Sequence, residues 1–168
     1  MTIHAGHPFP TPDDPVRRLR GRLGGTVSLW TAGDDTERAG LTVTSWLVAA
    51  GDPGRVLALL DPDADLTEVL LETGRGVVQL LSWDDRDLAD AFAGTTPAPG
   101  GPWRMADWDD SGYGPRLSSA VTWALVGVET STEVGWSRLV TCTIDELVVG
   151  DDPAPLVHRR GRYVPPGG

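Results

Sequence analysis

Residues 38–50 read RAGLTVTSWLVAA, and this stretch decides the fold that the sequence predicts. Between Ala39 and Ala50 the side chains alternate as they do along a β-strand, so that every second residue shares a face. One face carries Leu41, Val43, Ser45 and Leu47, and the other carries Thr42, Thr44, Trp46 and Val48. Both faces hold apolar groups. Because a small barrel covers one face of a strand itself, the other face needs a partner or a ligand.

Turn and capping signals on both sides of this strand divide the chain into about seven strands and two or three short helices. Asp14 and Pro15 predict the start of a helix near the N-terminus, and Asp63 or Asp65 predicts the cap of a second helix. The last three predicted strands follow one another without a helix, which argues against a parallel α/β sheet. The sequence therefore predicts a mainly β fold, a closed or partly closed barrel.

Composition excludes several classes of partner and chemistry. The length of 168 residues predicts a single domain over residues 13–168, behind a flexible N-terminus at residues 1–12. A net charge of −10 repels DNA and RNA, and all 14 cationic side chains are arginine, so no catalytic lysine exists. Cys142 is the single cysteine and forms no internal disulfide. No signal peptide and no membrane-spanning apolar run is visible, which favours the cytoplasm.

Common catalytic and metal-binding arrangements are missing from this sequence. His4 and His7 lie in the predicted flexible terminus, so His158 is the histidine expected in the folded part. One such histidine and one cysteine do not make a tetrahedral ligand set, and no metal site is predicted. No Gly-x-Ser-x-Gly sequence occurs, which argues against a Ser-His-Asp hydrolase.

Four segments carry a resemblance to a known family, namely 38–46 (RAGLTVTSW), 77–81 (VVQLL), 87–94 (DLADAFAG) and 155–163 (PLVHRRGRY). In this order and spacing they are similar to the flavin-reductase-like, FMN-binding split-barrel family, from about Leu23 to Val164. The resemblance implies a split β-barrel of about six to seven antiparallel strands, a homodimer, and FMN near the dimer interface. It also implies a flavin reductase or flavin-dependent oxidoreductase that acts by hydride transfer, with NAD(P)H as donor.

The resemblance further implies candidate site residues. Those around the flavin are Thr42, Thr44, Ser45, Trp46 and Gln79, and those at an anionic group are His158 and Arg162. His158 is also the candidate catalytic residue. The residues themselves leave two other interpretations open. Thr42, Thr44 and Trp46 can form a surface that faces solvent or a partner, and the Gln79 amide can make a backbone hydrogen bond.

Two departures from the family pattern bear on function. Asp61, Asp63 and Asp65 stand where relatives commonly have Asn and Ser near the flavin phosphate, and carboxylates repel a phosphate unless a cation intervenes. Ser137, in the segment 135–137, stands where relatives often have a histidine near the nicotinamide or flavin. Serine is not a proton donor of suitable pKa at neutral pH, so the sequence predicts that flavin binding exceeds turnover by NAD(P)H.

Two alternatives to an FMN reductase stay open at this stage. One is a split-barrel reductase that uses an F420-type deazaflavin, whose acidic tail would bind arginines; FAD is a further alternative cofactor. The other is a non-catalytic module that binds flavin or a protein. In that module the long loop from Gly94 to Pro115, with Trp103 and Trp108, would form a recognition surface.

Overall fold

The computed structural model describes residues 14–167 as a curled antiparallel sheet with three α-helices. The helices are α1 (Pro15–Leu23), α2 (Asp65–Thr73) and α3 (Arg86–Ala93). The strands are β1 (Gly25–Thr26), β2 (Ser28–Ala32), β3 (Ala39–Val43), β4 (Trp46–Ala49), β5 (Arg55–Leu60), β6 (Arg75–Leu80), β7 (Trp108–Asp110), β8 (Pro115–Leu117), β9 (Trp123–Val134), β10 (Ser137–Val148), β11 (Val157–Arg159) and β12 (Arg162–Val164). The predicted flexible terminus at residues 1–12, with His4 and His7, lies outside the described residues.

Seven strands form the main sheet in the order β3-β2-β6-β9-β10-β5-β4, and all neighbouring pairs are antiparallel. β3 and β4 follow each other along the chain but lie at opposite edges of this sheet. The sheet therefore curls until its edges approach each other where the chain passes through Thr44 and Ser45. Register shifts between β9 and β10, at Cys142 and after Ile144, add to the bending. The predicted mainly β split-barrel fold is confirmed.

The two faces of the sheet contribute to two hydrophobic cores. The barrel core includes Trp30, Leu60, Leu66, Leu70, Val126, Val140 and Cys142. The second core includes Val27, Leu29, Leu81, Leu88, Phe92, Leu117 and Leu156. β2 supplies residues to both cores and is buried along its whole length. Burial raises the pKa of the Cys142 thiol to about 12, so this cysteine is not a nucleophile at neutral pH.

The helices are short, and their caps only partly match the prediction. Asp14 caps α1, because its Oδ1 accepts a hydrogen bond from the Val16 N–H at 3.0 Å. The N-cap of α2 is Ala64, without a side-chain cap, so neither Asp63 nor Asp65 has the predicted role. No helix within residues 14–167 is long and apolar enough to cross a membrane. The same residues contain no group of three His, Cys, Asp or Glu side chains that could hold a metal ion.

The predicted continuous strand from Ala39 to Ala50 is broken into β3 and β4. Val43 belongs to the barrel core, and Trp46, three residues later, packs against the same core. A regular strand would place these two residues on opposite faces, so the alternation shifts by one residue at the break. The prediction that Trp46 shares an outward face with Thr42 is therefore wrong.

The loop from 94 to 115 is more ordered than its composition predicts. It contains a 3-10 turn, Pro102–Met105, and the strand β7. Trp103 and Trp108 contact Phe92 edge-to-face, with ring centroids 4.9 and 5.7 Å away, and pack against the second core. Both indoles are half-buried, so part of each ring remains at the surface, and the recognition surface considered for this loop stays a prediction.

Candidate functional site

The corner, formed by Thr44 and Ser45 between β3 and β4, is the place where several predicted site residues meet. The Ser45 carbonyl accepts a hydrogen bond from the Leu59 N–H at 2.9 Å, which attaches the corner to β5. The Thr44 side chain is exposed and Ser45 is half-buried. Hydroxyl groups at a strand break both donate and accept hydrogen bonds, so the corner offers polar contacts to a ligand.

The small sheet of β1, β11 and β12 contacts the corner from one side. A Cβ added at Gly25 would lie 3.0 Å from the Thr44 carbonyl oxygen, so the β1 backbone touches the corner. Gly25 pairs with His158 on β11, which places His158 one strand away. The Trp46 indole Nε1–H donates to the Thr26 carbonyl at 2.9 Å and anchors the other end of the corner to β1.

His158 and Arg162 both belong to the β11–β12 hairpin, but His158 pairs with Tyr163 and Arg162 pairs with Arg159, so their side chains lie on opposite faces. The rings of His158 and Tyr163 are 5.6 Å apart and nearly perpendicular. The Tyr163 hydroxyl donates to Asp90 Oδ1 at 2.5 Å, which holds the hairpin against α3. Burial and this hydrogen bond raise the pKa of Tyr163 above its ordinary value, so its hydroxyl stays protonated at neutral pH. His158 is the one imidazole on this hairpin.

Helix α1 reaches the corner through one arginine. Arg20 Nη2 donates to Ser45 Oγ at 2.9 Å. The helix ends at Leu23, and Gly24, with a φ of 62°, turns the chain into β1. The corner therefore lies between β5 on one side and α1 with β1 on the other.

An apolar surface lies beside the corner on the outer side of β4, β5 and β10. Leu47 pairs with Leu57, and Leu59 pairs with Leu139, so the four leucines share this side and form what we call the leucine face. Leu47 is 72% exposed and Leu59 is 40% exposed. Leu57 and Leu139 are half-buried, so within residues 14–167 the leucine face is most exposed at Leu47.

Thr42 does not lie at the corner. It belongs to β3, and its Oγ1 donates to the Ala89 carbonyl of α3 at 2.6 Å. The hydroxyl proton is used inside the chain, so Thr42 fixes α3 on the sheet in this structure.

Gln79 is also remote from solvent, with no exposed surface. Its Nε2 donates to the Leu29 carbonyl at 3.2 Å and to Thr31 Oγ1 at 3.1 Å. Its Oε1 accepts a hydrogen bond from the Leu117 N–H at 2.7 Å. Both ends of the amide are therefore hydrogen-bonded within the protein. This agrees with the interpretation in which Gln79 bonds the backbone and not the flavin.

The two departures from the family pattern lie together beyond β5. The strand leads from Leu59 to Asp61, where the acidic turn of Asp61, Asp63 and Asp65 precedes α2. Arg138 pairs with Leu60, so Ser137 lies at the same end of β5 as Asp61. The corner therefore has a carboxylate-rich neighbour on the side of β5.

Sequence reasoning did not identify Arg20 or the leucine face. Arg20 and Ser45 are 25 residues apart, and no local pattern links them. The leucine face had a visible signal, because Leu57 and Leu59 alternate with the buried Val56, Ala58 and Leu60. Such alternation indicates a strand with one covered and one uncovered apolar face.

Comparison with known proteins identifies the family. A sequence profile of the flavin reductase like domain matches residues 20–167. The FMN reductase (NADH) RutF of Stutzerimonas stutzeri (strain A1501) is 25% identical over 151 residues, 89% of this chain and 86% of that protein. Flavin reductase PheA2 in its native state superposes with a TM-score of 0.81 at 20% identity, covering 92% of this chain and 98% of that one.

A further solved structure is NADH:FAD oxidoreductase SgcE6 of Streptomyces globisporus C-1027 in complex with NAD and FAD fragments. It superposes with a TM-score of 0.80 at 21% identity, covering 94% of this chain and 95% of that one. The profile match spans nearly the whole barrel and confirms the family predicted from the four sequence segments. The chain belongs to the flavin reductase-like domain family.

Proposed function

We propose that this protein is a flavin reductase that binds FMN at the corner and reduces it with NADH. Family membership over residues 20–167 carries the proposal and confirms the flavin reductase function predicted from the sequence. The related FMN reductase (NADH) supports the same flavin and the same donor for this chain. FAD is the alternative nucleotide, since the similar SgcE6 is an NADH:FAD oxidoreductase.

The residues at the corner fit an amphipathic ligand of this kind. Thr44 and Ser45 offer hydroxyl groups, while Leu47 and Leu59 offer exposed apolar surface on the neighbouring strands. A flavin has a polar ring edge and ribityl chain beside an extended apolar ring, so both kinds of surface are needed. Bound FMN supplies the hydride-accepting chemistry. The protein's part is to orient the ring, to exclude water with the leucines, and to hold a proton on His158.

Filling the corner should abolish this function without unfolding the barrel. Thr44→Trp places a large side chain at an exposed position, where the fold accommodates it but the ligand does not. We expect the dissociation constant for FMN, measured by flavin fluorescence, to rise about tenfold or more. Anaerobic reduction of FMN by NADH should fall in parallel. The control is Ser119→Trp, an exposed serine outside the corner. Equal effects of both variants, or no effect of Thr44→Trp, would refute the assignment of the site.

We also propose that the leucine face forms a homodimer interface next to the corner. Leu47 and Leu59 are exposed leucines on the outer side of the sheet, and burying them removes apolar surface from water. Sedimentation at micromolar concentration should give the mass of a dimer for the wild type and of a monomer for Leu47→Glu/Leu59→Glu. Leu71→Glu, which alters a 37% exposed leucine on α2, should stay dimeric. A monomeric wild-type protein would contradict this proposal.

We also propose a cytoplasmic location and a single domain over residues 13–168. Family membership is compatible with both.

A further inference from the structure

Helix α1 is amphipathic, but its apolar side faces away from the rest of the described chain. Val16, Leu19 and Leu23, at positions i, i+3 and i+7, share one side of the helix, which we call the α1 stripe. These residues are 74%, 64% and 77% exposed, and α1 contains no buried residue. A surface helix of a globular domain normally turns such a side toward the core, so the α1 stripe is available to a partner.

The helix contacts the barrel through its opposite side. Gly21 lies two residues from both Leu19 and Leu23, which places it about 200° around the helix axis from each of them. Its carbonyl accepts a hydrogen bond from the Arg160 N–H at 3.0 Å, and a Cβ added at Gly21 would lie 4.0 Å from Arg160 Cα. The contact at Gly21 therefore fixes α1 with its stripe pointing outward.

Half of the 14 arginines in this acidic protein lie around the α1 stripe. Four are on α1 and three are on the β11–β12 hairpin that touches it, and all are exposed: Arg17, Arg18, Arg20, Arg22, Arg159, Arg160 and Arg162. We call these residues the arginine surface. Between described residues, the ion pairs join Arg55 to Glu129 and Arg116 to Asp109, and neither pair includes an arginine of this surface. Seven like charges repel one another, so this surface favours an anionic partner.

The surface of an anionic lipid bilayer matches both properties of α1. A basic amphipathic helix lies in the bilayer surface with its apolar side between headgroups and acyl chains and its cations at the lipid phosphates. Arg20 and Arg22 flank the α1 stripe on its two sides, as such an orientation requires. A folded protein partner would need a groove for this convex helix side, with carboxylates on both flanks, whereas lipids rearrange around it.

We propose that α1 binds the surface of an anionic lipid bilayer, with the α1 stripe below the headgroups and the arginine surface at their phosphates. Asp13 and Asp14, which precede α1, offset two of the seven positive charges. The net charge of −10 does not prevent this binding, because charges more than about 8 Å away are largely screened at physiological salt. Three apolar side chains give shallow, reversible binding. Since Arg20 donates to Ser45 Oγ at 2.9 Å, the corner lies next to the bound bilayer.

Co-sedimentation of the protein with lipid vesicles tests the proposal. The wild type should bind phosphatidylcholine vesicles that contain about one third phosphatidylglycerol about tenfold more tightly than pure phosphatidylcholine vesicles. Raising NaCl to about 0.5 M should remove most of this difference. Arg17→Gln/Arg22→Gln removes two charges and should weaken binding to the anionic vesicles about tenfold. Leu19→Gln/Leu23→Gln keeps the charges, removes apolar surface, and should weaken the same binding about tenfold.

Two matched control variants change residues outside α1 and the hairpin. Arg75→Gln/Arg104→Gln removes two exposed arginines, and Leu147→Gln/Val149→Gln removes apolar groups that are 53% and 73% exposed. Both controls should bind the anionic vesicles within about twofold of the wild type. All four variants should unfold at the temperature of the wild type, because the replaced side chains are exposed.

Three results would overturn the proposal. The first is that the wild type does not bind the anionic vesicles, or binds both kinds of vesicle equally. The second is unchanged binding of Leu19→Gln/Leu23→Gln, since attraction between charges would then be sufficient. The third is that Leu19→Gln/Leu23→Gln sediments as a monomer without lipid, where the wild type is a dimer, and binds vesicles like the controls. That result would assign the α1 stripe to a second copy of this chain.

Discussion

Gln79→Leu should lower the free energy of unfolding by roughly 3 kcal/mol, because a buried donor or acceptor without a partner costs about 1–3 kcal/mol. The substitution removes the amide that accepts from the Leu117 N–H and donates to the Leu29 carbonyl. Leucine has a similar volume, so the loss comes from unpaired polar groups and not from a cavity. The measurement is urea unfolding followed by tryptophan fluorescence.

A control and a binding assay separate this structural role from a flavin contact. Thr42→Val removes a single half-buried hydrogen bond and should cost about 1 kcal/mol. Under conditions in which Gln79→Leu is folded, its affinity for riboflavin should match that of the wild type. A marked loss of affinity together with a small loss of stability would instead assign Gln79 to the flavin.

The need of Gln79 for hydrogen-bond partners could be predicted from the sequence, but the identity of those partners could not. Gln79 carries the single Gln or Asn side-chain amide in the chain. A buried amide needs hydrogen-bond partners, so the sequence could identify Gln79 as a residue that has them. Its partners lie 38 to 50 residues away, on β2 and at the end of β8. Strand pairing over such distances depends on the global register, which alternation along one strand does not encode.

The break in the strand at the corner is a second feature that could not be predicted from the sequence. Residues 39–50 have a strand pattern throughout, and no Gly or Pro marks a break near Ser45. The break follows from barrel closure, because one continuous segment has to serve as both edge strands of a curled sheet. Thr44 and Ser45 were identified as candidate contacts through family resemblance, whereas the inward position of Trp46 required the closed barrel.

The loop at residues 94–115 could be predicted from the sequence only in part. Its Gly and Pro content indicated irregular backbone, which is correct for most of its length. Composition does not show where the two indoles pack. Their contacts with Phe92 on α3 bury aromatic surface, and these contacts depend on the tertiary fold and not on the local sequence.

His158→Ala should slow the anaerobic reduction of FMN by NADH about 10²-fold, the usual contribution of a side chain that supplies a proton. The hydride brings two electrons and one proton, and a further proton is needed for neutral reduced flavin. His158 lies on β11 and pairs with Gly25 of β1, whose backbone touches the corner, so its imidazole is one strand away from the corner. The measurement is stopped-flow absorbance, with His158→Gln as a variant of similar size without an imidazole.

Placing a histidine on the other side of the corner tests the same chemistry by rescue. Ser137 begins β10 beside the end of β5, where Asp61 begins the acidic turn, and the family resemblance implies a histidine at this position. Ser137→His should raise the reduction rate of the wild type about tenfold and should restore much of the rate lost in His158→Ala. If His158 had only a structural role, a histidine introduced at position 137 on a different strand would not restore the reduction rate. Rapid wild-type reduction that neither substitution changes would refute both the proton-donor role of His158 and the expectation that Ser137 limits turnover.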